Sequence, residues 1–215
     1  MNPTANTMKN RSHRMSSMSE MNRASASPAE PVEAPAMLNG VSPGAITELI
    51  GAVADDPAKG MTSWSVRTLW EGGNRTMSRV DHYKIGGRTV AKDWTIRTDE
   101  PLEIGGTNTQ PNPQEYLLAA VNACMMVTYV DYAAVQGIRI DEIEIETEGD
   151  IDLRGLFQLG EDVNPGYDRL DYRVRIKADA SREQLEALHE TVRRTSPNFA
   201  NMARAVAMNS TLVID

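Results

Sequence analysis

The segment from Asn112 to Gly137 constrains this chain more than any other. Asn112 offers a side-chain oxygen for an N-cap, Pro113 suits the first helical position, and Glu115 stands where it can reach back and close a capping box. Gly137 supplies a C-terminal stop, so the spacing predicts one helix ending at Gln136. Between these signals Leu117, Leu118, Val121, Met125, Met126, Val127, Val130 and Val135, with interspersed alanines, surround the axis. A helix apolar on every side is buried on every side, so the rest of the fold has to be built around it. Its charge-free stretch runs only from 116 to 130, shorter than the roughly 18–20 residues that span a bilayer, and no membrane span is expected.

The flanking sequence supplies the material for that burial. Ser42 and Pro43 open a short helix with Ile46, Leu49, Ile50 and Val53 at helical spacing, up to Asp56-Pro57. Residues 63–70, 75–85 and 88–98 read as an antiparallel meander, punctuated by Gly72-Gly73 and Gly86-Gly87. Beyond the helix, Ile138, Ile140, Ile143 and Ile145 interleave with acidic residues, and Leu170, Tyr172, Val174 and Ile176 alternate with charged ones, giving two strands with one wet face. Ser181 and Gln184 open an amphipathic helix, Ser196-Pro197 starts a second short one, and residues 206–214 are expected to close the sheet as a strand. Strands, buried helix, strands, helices and strand together make an α+β arrangement.

Residues 1–40 hold six of the twelve methionines, six serines and four prolines without apolar periodicity, and are expected to form a disordered leader. An N-terminal helix and linker over 41–60 and a folded domain over 61–215 complete the division. The net charge of −8, from 22 basic and 30 acidic residues, repels a phosphate backbone and excludes nucleic acid as an expected partner. One cysteine rules out an intrachain disulfide and a multi-cysteine metal site, and suits a reducing cytoplasm.

That cysteine, Cys124, falls near the middle of the long helix, where no helix N-terminus is expected to reach it and apolar surroundings are expected to disfavour the thiolate. On a 100° wheel it shares a face with Leu117, Ala120, Thr128 and Asp131, whereas Glu115 points the opposite way about 13 Å along the axis. A charged group serving the thiol must therefore come from another element or another subunit. Packing as a small hydrophobe is the plain alternative.

The run Gly105-Gly106-Thr107-Asn108, Pro111-Asn112-Pro113-Gln114-Glu115-Tyr116-Leu117-Leu118-Ala119-Ala120 and Ala123-Cys124 resembles the signature of the OsmC/Ohr family of osmotically inducible and organic hydroperoxide resistance proteins. Trp70-Glu71-Gly72, residues 148–155 and Thr195-Ser196-Pro197-Asn198 extend the resemblance over about residues 61–214. It implies an OsmC-like fold, with antiparallel sheets around a buried central helix, in an intertwined homodimer with thiols near the interface. It also implies a peroxidase in which Cys124 attacks the peroxide O–O bond, Arg75 (or Arg79) steadies the thiolate, and no metal or organic cofactor takes part. The position of the family's resolving cysteine holds Ser196, and that of its companion glutamate holds Gln114, so an external dithiol would have to recycle the enzyme.

Other interpretations of the same residues stand beside these. Arg75 is also an ordinary solvated charge, Ser196 an ordinary N-cap, and Asp150, Asp152 and Arg154 either a salt-bridged turn or a lid. His82 and His189 have no partner spacing and suggest surface or packing roles. Two functions therefore compete: a one-cysteine reductase of organic or lipid hydroperoxides in oxidative-stress defence, and a non-catalytic dimer whose Met125–Met126 pocket binds a small hydrophobic ligand. Retention of the attacking cysteine favours the first, and loss of the resolving one favours the second.

Overall fold

A computed structural model describes residues 36–214. The helix starts read from the sequence carry their caps. In α1 (Pro43–Asp55) the Ser42 side chain accepts from Ala45 N–H. In α2 (Pro113–Val135) Asn112 and Glu115 close the reciprocal capping box. A single turn, α3 (Leu153–Leu156), comes next, and in α4 (Arg182–Thr195) Ser181 and Gln184 close a second capping box. Gln136 caps α2 at its C-terminus and Gly137 takes φ +73°, the left-handed conformation that ends a helix without a Cβ penalty.

Two antiparallel sheets flank this frame. In the first, β3 (Thr76–Ile85) pairs on one side with β4 (Arg88–Thr98) and on the other with two short strands, β1 (Thr62–Trp64) and β2 (Arg67–Trp70). The single strand expected over 63–70 is thus interrupted between Trp64 and Arg67. In the second, β5 (Ile140–Glu148) pairs with β6 (Asp171–Ala178). Its solvent face is a ladder of cross-strand ion pairs, Glu142–Lys177, Glu144–Arg175 and Glu146–Arg173, which fixes register more than it adds stability. Its inner face, Ile143, Ile145, Val174 and Ile176, packs on a core of Met125, Tyr129 and Ala133 from α2 with Leu188 and Val192 from α4. The strands between which α2 is inserted make this an α+β fold.

A knot of hydrogen bonds joins the first sheet to α2. The buried Asp99 carboxylate accepts N–H bonds from Glu100, Thr107 and Thr109 and hydroxyl bonds from both threonines. These donors, the Thr107 hydroxyl foremost, hold its carboxyl well below the usual carboxylate range. The turn leaves no room at Gly106, where a Cβ would fall 1.8 Å from the Glu100 carbonyl oxygen.

Three expectations are corrected. The helix α2 is not buried all round within its own chain: Val127 is 58% exposed, and Leu117, Tyr132 and Val135 are also exposed. Residues 205–214 form no strand with the described residues of this chain, and their apolar side chains lie bare, Met208 at 92% exposure. Part of the expected leader belongs to the fold, because Asn39 donates to the Ile138 carbonyl and accepts from Ile140 N–H, clipping the chain to the start of β5. Residues 1–35 lie outside the described residues.

By length and composition α2 is also apolar enough to cross a membrane, which a count of charge-free residues alone misses. Its Met125, Tyr129 and Ala133 row is nevertheless packed in the core.

The first sheet remains equally uncovered. Trp64, Trp70 and Trp94 are exposed, and among the described residues β1 to β4 pack chiefly on one another. An apolar helix face, a two-sided sheet and an extended apolar tail are surfaces that an isolated chain leaves to water at a cost.

Candidate functional site

Cys124 sits half-buried on α2, and its surroundings come from the other end of the sequence. The chain leaves α4 at Thr195, turns at Ser196 and enters α5 (Pro197–Ala203), so this junction lies directly over the thiol. Ser196 Oγ donates to Cys124 Sγ at 3.6 Å, and the Asn198 backbone N–H donates to the same sulfur at 3.5 Å. Asn198 is itself anchored, its side-chain amide donating to the Ala120 carbonyl at 2.9 Å. Thr128 Oγ donates to the Cys124 carbonyl at 2.8 Å one turn further along. Two donors aimed at one sulfur are partners that an anionic sulfur uses better than a neutral one.

This geometry revises two readings of the sequence. Ser196 stands at the N-cap position of α5 but makes no side-chain capping bond; it is fully buried and its hydroxyl is turned to the sulfur. Cys124, far from the start of its own helix, meets the first turn of a different one.

The other candidates lie elsewhere in the chain. Arg75 follows the Gly72-Gly73 turn, exposed, in a cleft of about 350 Å³ with Glu71, Arg97, Thr98, Thr109 and Gln110. There Glu71 is paired to Arg97. Arg79 is on β3 opposite Arg67, also exposed. Neither arginine is among the described hydrogen-bond partners of Cys124. Glu115 is committed to the capping box, accepting from Asn112 N–H at 2.7 Å. Asp152 and Arg154 form the salt-bridged turn, Asp152 also accepting from Arg154 N–H, while Asp150 takes no part in it.

A cavity of about 280 Å³ opens beside the thiol's helix, lined by Val121, Met125, Leu170, Tyr172, Phe199 and Met202. Met125 contributes to it and Met126 does not. Among the described residues there is no cluster of three or more His, Cys, Asp or Glu that could hold a metal ion.

Spacing gave no sign of one further feature. Tyr129, fully buried on α2, is hydrogen-bonded through its hydroxyl to Nδ1 of His189 on α4. Tyr172 lies against the same imidazole at 6.1 Å between ring centroids, and Phe199 meets Tyr172 edge-on at 5.9 Å. Burial pushes both tyrosine hydroxyls up, and burial with the Arg193 charge pushes His189 down, so the imidazole is neutral near pH 7. His189 is therefore a packing residue with a specific partner.

Comparison with known proteins places this geometry. The family model described as OsmC-like protein matches residues 106–211, the stretch containing α2, Cys124, Ser196 and Asn198. The uncharacterized protein YmaD of Bacillus subtilis (strain 168) is 25% identical over 118 residues, 54% of this chain and 73% of that relative. An OsmC-like protein of Mycoplasma pneumoniae superposes with a TM-score of 0.53 at 14% identity, covering 66% of this chain and 89% of that one. An OsmC-like protein of unknown function from Vibrio cholerae does so with a TM-score of 0.51 at 12% identity, covering 65% and 93%.

Proposed function

This chain belongs to the OsmC-like protein family, and from that premise we propose that it reduces organic or lipid hydroperoxides through Cys124, in defence against oxidative stress. The observation that carries the proposal is the pair of donors on one sulfur, Ser196 Oγ–H and Asn198 N–H. Both are placed to hold the sulfur as it attacks a peroxide oxygen as thiolate. The attack breaks the O–O bond, oxidises the sulfur to sulfenic acid and releases an alkoxide that takes a proton to leave as alcohol. An external dithiol then attacks the sulfenic sulfur, releases water, and in leaving as its own disulfide restores the thiol. No bound cofactor enters this cycle, and a reducing cytoplasm is the compartment that keeps such a dithiol available.

The second copy belongs to the same proposal. At 100° per residue Cys124 lies within about 60° of Leu117, Val127 and Val135, so the bare apolar side of α2 is the side that carries the thiol. Whatever covers that face also closes the site. A homodimer would cover it and bring up a cation, for which Arg75, exposed at the turn leading into β3, is the candidate. The rival function, binding a small hydrophobic ligand without turnover, draws support from the methionine-lined cavity.

Peroxide consumption separates the two. With a small dithiol, the parent protein should reduce cumene hydroperoxide faster than hydrogen peroxide, and Cys124→Ser should not turn over. Equal rates for parent and variant would leave the binding function.

A further inference from the structure

The α2–α4 contact is held at two points by polar groups. One is the thiol with Ser196 and Asn198; the other is the buried hydrogen bond between Tyr129 and His189. Along α2, Tyr129 is five residues beyond Cys124, and along α4, His189 is seven residues before Ser196, so the two points lie within about 11 Å of each other on the same helix pair. Between them Val192 is fully buried, and Ser196 N–H donates to its carbonyl at 2.9 Å. A shift of α4 at His189 is therefore transmitted to Ser196 along one continuous helix whose inner face is packed in the core.

We propose that the Tyr129–His189 pair is a positioning device for Cys124: it sets the register of α4 on α2 that holds Ser196 and the Asn198 amide against the sulfur, and protonation of His189 releases them. This rests on, and deepens, the assignment of Cys124 as a reactive thiol.

The hydrogen bond accommodates one proton. A neutral imidazole accepts at Nδ1 the proton that the phenol donates. An imidazolium carries N–H at both ring nitrogens, so the phenol can only accept and its own proton is left without a partner in a fully buried position. The groups facing His189 do not relieve this. Tyr129 comes from α2, and Tyr172 and Arg173 from β6. From α4 itself come Arg182, Glu186, Glu190 and Arg193, of which Glu186 is paired to Arg182 and Glu190 to Arg193. Arg173 is paired to Glu146 on β5.

The test is the rate at which iodoacetamide alkylates Cys124 in the full chain between pH 5.5 and 8, with the fold followed by circular dichroism. Tyr129→Phe keeps the ring and removes the bond, and should slow alkylation about fivefold at pH 7.5, the worth of one net hydrogen bond. His189→Asn places an amide near the Nδ1 position and cannot titrate. It should match the parent at pH 7.5 and exceed it increasingly as pH falls below the ordinary imidazole range, where the parent's imidazole protonates. A Tyr129→Phe rate equal to the parent's, or a parent to His189→Asn ratio that does not change with pH, would overturn the positioning role while leaving the reactive thiol in place. A Cys124 inert in the folded parent throughout the range would remove both.

Discussion

Replacing Ser196 by cysteine probes the site at the place where this chain departs from a two-cysteine peroxidase. The hydroxyl oxygen lies 3.6 Å from Cys124 Sγ. A disulfide requires about 2.05 Å between sulfurs, so the gap to close is roughly 1.5 Å, within reach of the longer C–S bond and a small rotation about χ1. The cross-link would join residues 72 apart in sequence, and the chain-entropy relation assigns such a loop about 4 kcal/mol of stabilisation. In a protein of this length that corresponds to a rise of about 10 °C in melting temperature, reversed by reductant. One equivalent of cumene hydroperoxide should convert Cys124 to sulfenic acid, which the introduced thiol attacks with loss of water. Mass spectrometry should then show the loss of two hydrogens and a peptide joining positions 124 and 196, and turnover should resist excess peroxide better than in the parent. Sulfenic and sulfinic forms alone, with no cross-link and no reductant-sensitive melting shift, would refute the placement of residue 196 over the sulfur.

Gly106→Ala should cost about 3 kcal/mol or more, seen as a lowered urea midpoint, because its Cβ collides with the Glu100 carbonyl; a variant as stable as the parent would refute the tight turn. The depressed Asp99 carboxyl contributes stability that is present above the ordinary carboxylate range and is lost as pH falls through that range toward the folded-state value. Denaturant titrations at successive pH values should accordingly show a shallower acid limb in Asp99→Asn than in the parent. Val127→Glu places a charge on an already exposed position of one chain, so it should leave secondary structure intact and convert a sedimenting dimer to monomer at micromolar concentration. A parent that sediments as a stable monomer would contradict the covered face.

What the sequence revealed and what it withheld divide along the range of the interactions. The caps of α1, α2 and α4 depend on residues within four positions of one another, and the alternation in β5 and β6 depends on the side-chain period of a strand, so each was legible locally. Ser196 and Asn198 reach Cys124 across more than seventy residues, and Tyr129 reaches His189 across sixty. Such pairings follow from how helices stack, which no short pattern encodes. The resemblance drew attention to position 196 and included Asn198 without giving it a role, whereas nothing pointed to Tyr129. The segment 206–214 has apolar residues enough for a strand, but composition does not choose a partner, and it pairs with no strand among the described residues of its own chain. Asn39 escaped notice because a single side chain, placed in a turn with Gly40, takes the two hydrogen bonds that a neighbouring strand would otherwise supply.

The central claim is that Cys124 turns over peroxide. Its most direct measurement is trapping of the sulfenic acid with dimedone after a stoichiometric pulse of cumene hydroperoxide, read by peptide mass spectrometry alongside dithiol-dependent peroxide consumption by parent and Cys124→Ser. The dimedone adduct is predicted on the peptide carrying Cys124 within the time of one turnover, with consumption abolished in Cys124→Ser. An unlabelled Cys124 in a folded protein, with parent and variant consuming peroxide at the same background rate, would contradict the account.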